Sequence, residues 1–233
     1  MNWTQHLKNL ATKVSRNAGV LYKLKGIVPD KTLMLIYNSF VQSHLYYCAT
    51  VWGTRSLNSI SRVFTAQKKG IRAADNRYHL YKFDKDTKST PSHTKDIFNK
   101  LGVLALPNLI VKSCLCLMHK VYLKAAPVNI IELFNAVNIA PPRREPQVFK
   151  IPYNRLHTSD KTLTYIGPLL YNMTVNNFNA NKPDDAKKLQ SKFLKPFKSA
   201  VTKDLLGVQA LEPDAKCWKD VNFALYQLKK KLI

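Results

Sequence analysis

WTQHLKNLATKVSRNAGVLYKL, residues 3–24, is the stretch whose pattern decides the fold class. Its apolar residues Leu7, Leu10, Ala11, Val14, Ala18 and Leu21 recur at helical spacing, and at about 100° per residue they form one stripe. Lys13, Arg16 and Lys23 fall on the opposite face, near one another. The pattern predicts an amphipathic helix that buries one side and turns a positively charged side to solvent. Gly26 is the stop signal, and Pro29 and Asp30 supply a turn residue and an N-cap for a second helix carrying Leu33, Ile36, Tyr37, Phe40 and Val41. The two segments together read as a helix hairpin.

Outward from this hairpin, Leu45 to Gly53 is dense in aromatic and β-branched residues, so burial is easier to predict than conformation. Core packing is the preferred reading of Tyr46, Tyr47 and Trp52, with base stacking as its competitor, and Trp52 is the single position expected to matter most for stability. From about Ser56 the spacing of Leu57, Ile60, Val63, Phe64 and Ile71 returns to helix. It finishes in Lys68, Lys69 and Arg72, cations that suit a helix C-terminal dipole. Residues 1–80 thus read as a basic helical domain. Residues 81–90 form a charged loop, residues 91–136 a second helical block, residues 137–160 a Pro/Arg-rich linker, and residues 161–233 a C-terminal region.

Within the second block, Pro91 lies near a helix start and Gly102 is a C-terminal signal. Pro107 then opens a helix with Leu109, Ile110, Cys114, Leu117, Met118 and Val121, which Pro127 ends. Short strands or extended chain are expected from Phe149 to Tyr165, a helix from Asp184 to Lys203, and helix again from Trp218 to Leu232. The expected fold is mainly α: a helical bundle, then a mixed C-terminal segment with short extended elements and a terminal helical part.

Lys and Arg number 37 against 14 acids, a formal net charge of +23. Residues 1–80 hold twelve of the cations and only Asp30 and Asp75 as acids, so a polyanion, most simply nucleic acid, is the implied partner. Neither an apolar stretch that could cross a bilayer nor a signal core in Met1–Leu10 is present, which implies an intracellular protein, cytoplasmic or nuclear, with no membrane partner. Cys48, Cys114, Cys116 and Cys217 have mostly apolar neighbours and read as reduced, buried thiols.

No catalytic constellation is evident. Asp184-Asp185 follows Pro183 and reads as the acidic first turn of a helix rather than a metal site, while His6 and His93 have no acid or nucleophile companion. Cys114, Cys116 and His119 invite a zinc reading, but residues two apart on a helix point about 200° apart, so core thiols are preferred and no cofactor is expected.

The chain resembles the region that follows the polymerase palm in reverse transcriptases of non-LTR retrotransposons of the jockey and CR1 type. The matching signs are Trp3 with His6, Gly19-Val20-Leu21, Pro29, Tyr37, and Tyr46-Tyr47 ahead of Val51-Trp52-Gly53. They continue with Gln67-Lys68-Lys69 and Ile71-Arg72, Leu101-Gly102-Val103-Leu104 with Leu106, Gly167-Pro168 with Tyr171-Asn172, and Ser191, Phe193 and Lys195. Tyr171 departs from the pattern, since the family usually has Trp there.

That resemblance implies a thumb and trailing C-terminal part that grip the primer and template duplex. It does not imply polymerisation by this chain alone. The family's metal-binding carboxylates lie on palm strands that would precede Trp3, so a separate palm is the implied catalytic partner. The expected phosphate-contacting residues are Lys13, Arg16, Lys23, Lys68, Lys69 and Arg72, with Lys187, Lys188, Lys192, Lys195 and Lys198 as a second basic group. The bland alternative for each group is a solvated helix face. Two other functional readings stand beside this one: a helical protein-interaction scaffold derived from such an element, and a mitochondrial transit segment in Met1–Leu24.

Overall fold

The structure is a computed structural model that describes residues 3–54, 57–75, 94–134, 148–152, 162–181 and 194–211. All regular secondary structure among them is helical: α1 (Thr4–Leu24), α2 (Asp30–Tyr37), a π-helical turn (Asn38–Gln42), α3 (Ser43–Tyr46), α4 (Ala49–Trp52), α5 (Leu57–Ala74), α6 (Thr94–Lys100), α7 (Leu106–Tyr122), α8 (Val128–Ile131), α9 (Leu163–Asn181) and α10 (Leu194–Leu211). The mainly α expectation holds. Of the stretch Phe149–Tyr165, where short strands or extended chain are expected, residues 149–152 are non-helical with Phe149 in an isolated bridge, residues 153–161 lie outside the described residues, and residues 163–165 already belong to α9. The chain divides into two compact units, residues 1–106 with 206–219 and residues 107–205 with 220–233. The division falls inside the stretch that sequence alone assigns to a second helical block.

In the first unit α1 packs chiefly on α5. Leu7, Leu10, Val14, Ala18 and Leu21 are all buried, which is the stripe that the 3.6-residue period draws. The facing side of α5 supplies Ile60, Val63, Ala66, Ile71, Ala73 and Ala74. α1 ends where Gly26 takes φ +81°, and α6 where Gly102 takes φ +63°, left-handed values open to glycine without a Cβ penalty. Pro29 rather than Asp30 occupies the cap of α2, and Asp30 takes the first helical position, where its charge suits the helix dipole.

The run from α2 to α4 has an unusual register. Leu33, Tyr37, Val41, Leu45 and Ala49 are buried at a strict four-residue interval. In a uniform α-helix that interval drifts by about 40° per step and would carry the line round the far side of the helix by its end. The π turn, wound more loosely by its i→i+5 bonds, takes up part of the drift, and Cys48 in the left-handed region (φ 50°, ψ 28°) restarts the helix. Trp52 is fully buried, and its indole Nε1 donates to the Tyr47 carbonyl at 2.8 Å. Burial was the correct expectation for Trp52 and not for its neighbours: Tyr46 is 37% and Tyr47 71% exposed, because the four-residue line leaves both off the core side.

A buried carboxamide closes this unit. Gln67 is fully buried on α5; its Nε2 donates to the Leu104 carbonyl at 3.1 Å and its Oε1 accepts from the Leu106 N–H at 2.8 Å. The residues after α6 are therefore fastened to α5, and the stacked rings of Phe64 and Phe98 add to the seam.

The second unit is built on α7, apolar on most of its circumference, with Leu109, Ile110, Val111, Cys114, Leu115, Met118 and Val121 buried. α7 ends at Tyr122, ahead of the expected stop at Pro127; Lys124 adopts φ 54°, and Pro127 instead caps the short α8. Sequence alone assigns no element between Tyr165 and Asp184, where α9 runs with Pro168 inside it. A Cβ on Gly167 would lie 2.8 Å from the Met118 sulfur, so α9 and α7 meet closely at this point. Asn172 on α9 then acts as a strand partner in miniature. Its Oδ1 accepts from the Val148 and Phe149 N–H groups at 3.1 and 3.0 Å, and its Nδ2 donates to the Phe149 carbonyl at 2.8 Å.

The last helix begins its described part at Leu194 and runs past the expected end at Lys203 to Leu211, burying Phe197, Ala200, Val201 and Leu205. Asp184-Asp185, the charged loop 81–90, most of the Pro/Arg-rich linker and the tail 218–232 lie outside the described residues.

Two substitutions test these two kinds of bond. Trp52→Ala should cost about 3–5 kcal/mol in urea unfolding. Gln67→Leu keeps the volume but strands two buried backbone groups, and should cost about 2–5 kcal/mol.

Candidate nucleic-acid interface

The six expected contact residues divide into two sets. On α1 the buried stripe leaves Lys13, Arg16 and Lys23 exposed on the opposite side, within an arc of about 80° at 100° per residue. Among the described residues no carboxylate pairs with any of them. They form the α1 set that sequence periodicity expects.

The α5 set is different. Lys69 is exposed, but Lys68 is half-buried with its Nζ over the Phe64 ring, 4.3 Å from the centroid. Burial first, and then the charge of Arg72, push the Lys68 ammonium below its ordinary range. Arg72 is half-buried, its guanidinium donates to Thr94 Oγ1 at 2.8 Å, and its carbonyl accepts from Lys25 Nζ at 3.2 Å. It ties α5 to the start of α6 and brings the C-terminal ends of α1 and α5 together. The neighbourhood is also not free of acid: Asp75, 4% exposed, pairs with Lys100 at 3.3 Å and attracts Lys25, whose pKa burial nevertheless lowers. Arg72 and Lys68 are thus partly consumed by packing, which a residue count along the helix could not reveal.

One outward cation on α5 escaped the sequence reading. Arg62 is exposed and lies seven residues before Lys69, two turns away on the same face. The same periodicity that selected Lys13 and Arg16 would have found it.

In the second unit, Cys116 on α7 feels Lys198 of α10 together with Lys112 and Lys120 of its own helix, although burial dominates and raises its thiol pKa. The structure thereby joins Lys198, expected as part of a basic group on the last helix, to two α7 lysines that drew no attention. Cys114 is buried and its thiol is pushed up to about 12, as the core-thiol reading expects, whereas Cys48 is exposed, against that reading. His119 serves packing: it is fully buried, its Nδ1 lies 3.0 Å from the Tyr171 hydroxyl, and its ring stacks on Phe197 at 3.9 Å. No group of three or more potential metal ligands is gathered among the described residues, and no helix there is long and apolar enough to cross a membrane.

Comparison with protein-family models, curated proteins and solved structures finds no match to this chain.

The division within the α5 set has a measurable consequence. Arg72→Ala should lose about 1–2 kcal/mol of unfolding free energy through its severed bond to Thr94, while Lys69→Ala should stay within about 0.5 kcal/mol of the parent in the same denaturation assay.

Proposed function

We propose that this chain is a non-catalytic nucleic-acid-binding element, corresponding to the thumb and C-terminal region of a retrotransposon RNA-directed DNA polymerase. It grips RNA–DNA hybrid or duplex through phosphates and works with a palm that supplies the metal-binding carboxylates. The observation that carries the proposal is the α1 face, where Lys13, Arg16 and Lys23 stand exposed directly behind a fully buried apolar stripe. A cation held on the outside of a packed helix needs no rearrangement to meet a phosphate, and the surplus of +23 supplies long-range attraction. Base reading is not part of the proposal, since phosphate contacts position without specifying sequence.

A second reading, a helical protein-interaction scaffold, draws on Val128 and Leu133 beside α8, 66% and 62% exposed. Pull-down after nuclease digestion separates the two: partners that survive digestion favour the scaffold, and partners that vanish favour the nucleic-acid reading.

The direct test is salt dependence. Five outward cations, Lys13, Arg16, Lys23, Arg62 and Lys69, correspond to a log–log slope of about −4.5 on duplex, a loss on the order of five-hundredfold between about 50 and 200 mM salt. Replacing Lys13, Arg16 and Lys23 together by Ala should flatten the slope by about 2.7. Absent or salt-insensitive binding to RNA–DNA hybrid would reject the proposal.

A further inference from the structure

The run from α2 to α4 presents an outer line that mirrors its buried one. Lys31, Leu35, Ser39, Ser43 and Tyr47 repeat at the same four-residue interval and are all exposed, Leu35 by 66% and Tyr47 by 71%. The serines are turned inward to their own backbone: Ser39 Oγ donates to the Leu35 carbonyl and Ser43 Oγ to the Ser39 carbonyl. What faces outward is a cation at one end, the Leu35 side chain next to it, and an aromatic ring at the other end. Phe40, 54% exposed, flanks the line from the π turn.

Tyr47 is held at a cost. Cys48, immediately after it, adopts a left-handed conformation that side-chain-bearing residues rarely enter. The buried Trp52 indole donates to the Tyr47 carbonyl, and the Tyr47 N–H donates to the Ser43 carbonyl at 3.1 Å. A ring that is mostly in water is thus mounted on a pinned, strained turn, and the core gains nothing from that ring. Charge indicates what the ring meets. Between Asp30 and Asp75 the sequence contains no acidic residue, so this surface favours an anionic partner, and nucleic acid is the anionic polymer whose every unit also offers a π-face to an exposed ring.

The geometry points to a base-stacking site for single-stranded nucleic acid at Tyr47, with Phe40 beside the same line and Lys31 as a phosphate contact. This inference rests on the nucleic-acid reading above and adds unpaired bases to it: duplex is held by the α1 cations, and an unpaired strand by the aromatic line. Every base has a π-face, so the site takes single strands with little sequence preference.

The test compares the full chain with Tyr47→Ala and Tyr47→Phe on two probes, an oligo-dT of about twelve nucleotides and an RNA–DNA hybrid of equal length. Tyr47→Ala should weaken oligo-dT binding by about five- to a hundredfold, Tyr47→Phe should restore it to within about twofold, and hybrid binding and thermal melting should be unchanged. Hybrid binding with unaltered oligo-dT affinity in Tyr47→Ala overturns the stacking site and leaves the duplex reading standing. An equal loss on both probes also overturns it, because the ring would then be serving the backbone grip. Self-association that Tyr47→Ala abolishes without touching oligo-dT affinity would make the face a protein contact and overturn it too. If neither probe binds the parent chain, both readings fall together.

Discussion

Burial of polar groups is the constraint on which the rest of the structure depends, and Gln67 is where it is met most economically. A backbone segment leaving a helix carries N–H and C=O groups that cannot enter a core unpaired. Gln67 holds donors and an acceptor on a single rigid plane, and uses one N–H on the Leu104 carbonyl and its Oε1 on the Leu106 N–H. Asn172 solves the same problem in the second unit with the backbone of Phe149. In both cases one side-chain carboxamide pairs with backbone groups that leave a helix or run beside one.

The apolar faces that pair in the first unit leave most of its described cations outside. The stripe from Leu7 to Leu21 and the apolar side of α5 close on each other, and Lys13, Arg16, Lys23, Arg62 and Lys69 are left exposed. Self-repulsion among such charges opposes folding. Some of it is offset where the C-terminal ends of α1 and α5 meet, since both helix dipoles are negative there and Asp75 lies buried beside Lys100. Lys25, Lys68 and Arg72 are drawn into that arrangement. The charges available to a partner are therefore fewer than the sequence count, but they stand on a fixed frame.

Much of this was legible in the sequence wherever one helix face decides the outcome. The α1 stripe and the cations behind it followed from periodicity, as did the burial of Trp52 from its size and the stop at Gly26 from its lack of a Cβ. Legibility failed where a residue's fate depends on a distant partner. Sequence alone assigns no element around Gly167-Pro168, yet α9 runs through both residues and meets Met118 of α7 closely at Gly167. Arg72 reads as a phosphate contact, or else as a solvated helix end, until Thr94 is brought beside it. Tyr46 and Tyr47 read as core because they are aromatic, and only the π turn and the left-handed Cys48 reveal a buried line that omits them.

On the proposed function, the outward cations of the first unit are a ready-made grip for sugar-phosphate strands. Lysine-acetylation footprinting of the full chain, with and without saturating RNA–DNA hybrid, examines it at single residues. The account predicts that hybrid slows acetylation of Lys13, Lys23 and Lys69 together, while Lys68, already over the Phe64 ring, changes little. Undiminished acetylation of Lys13 and Lys23 in hybrid-bound protein would contradict it.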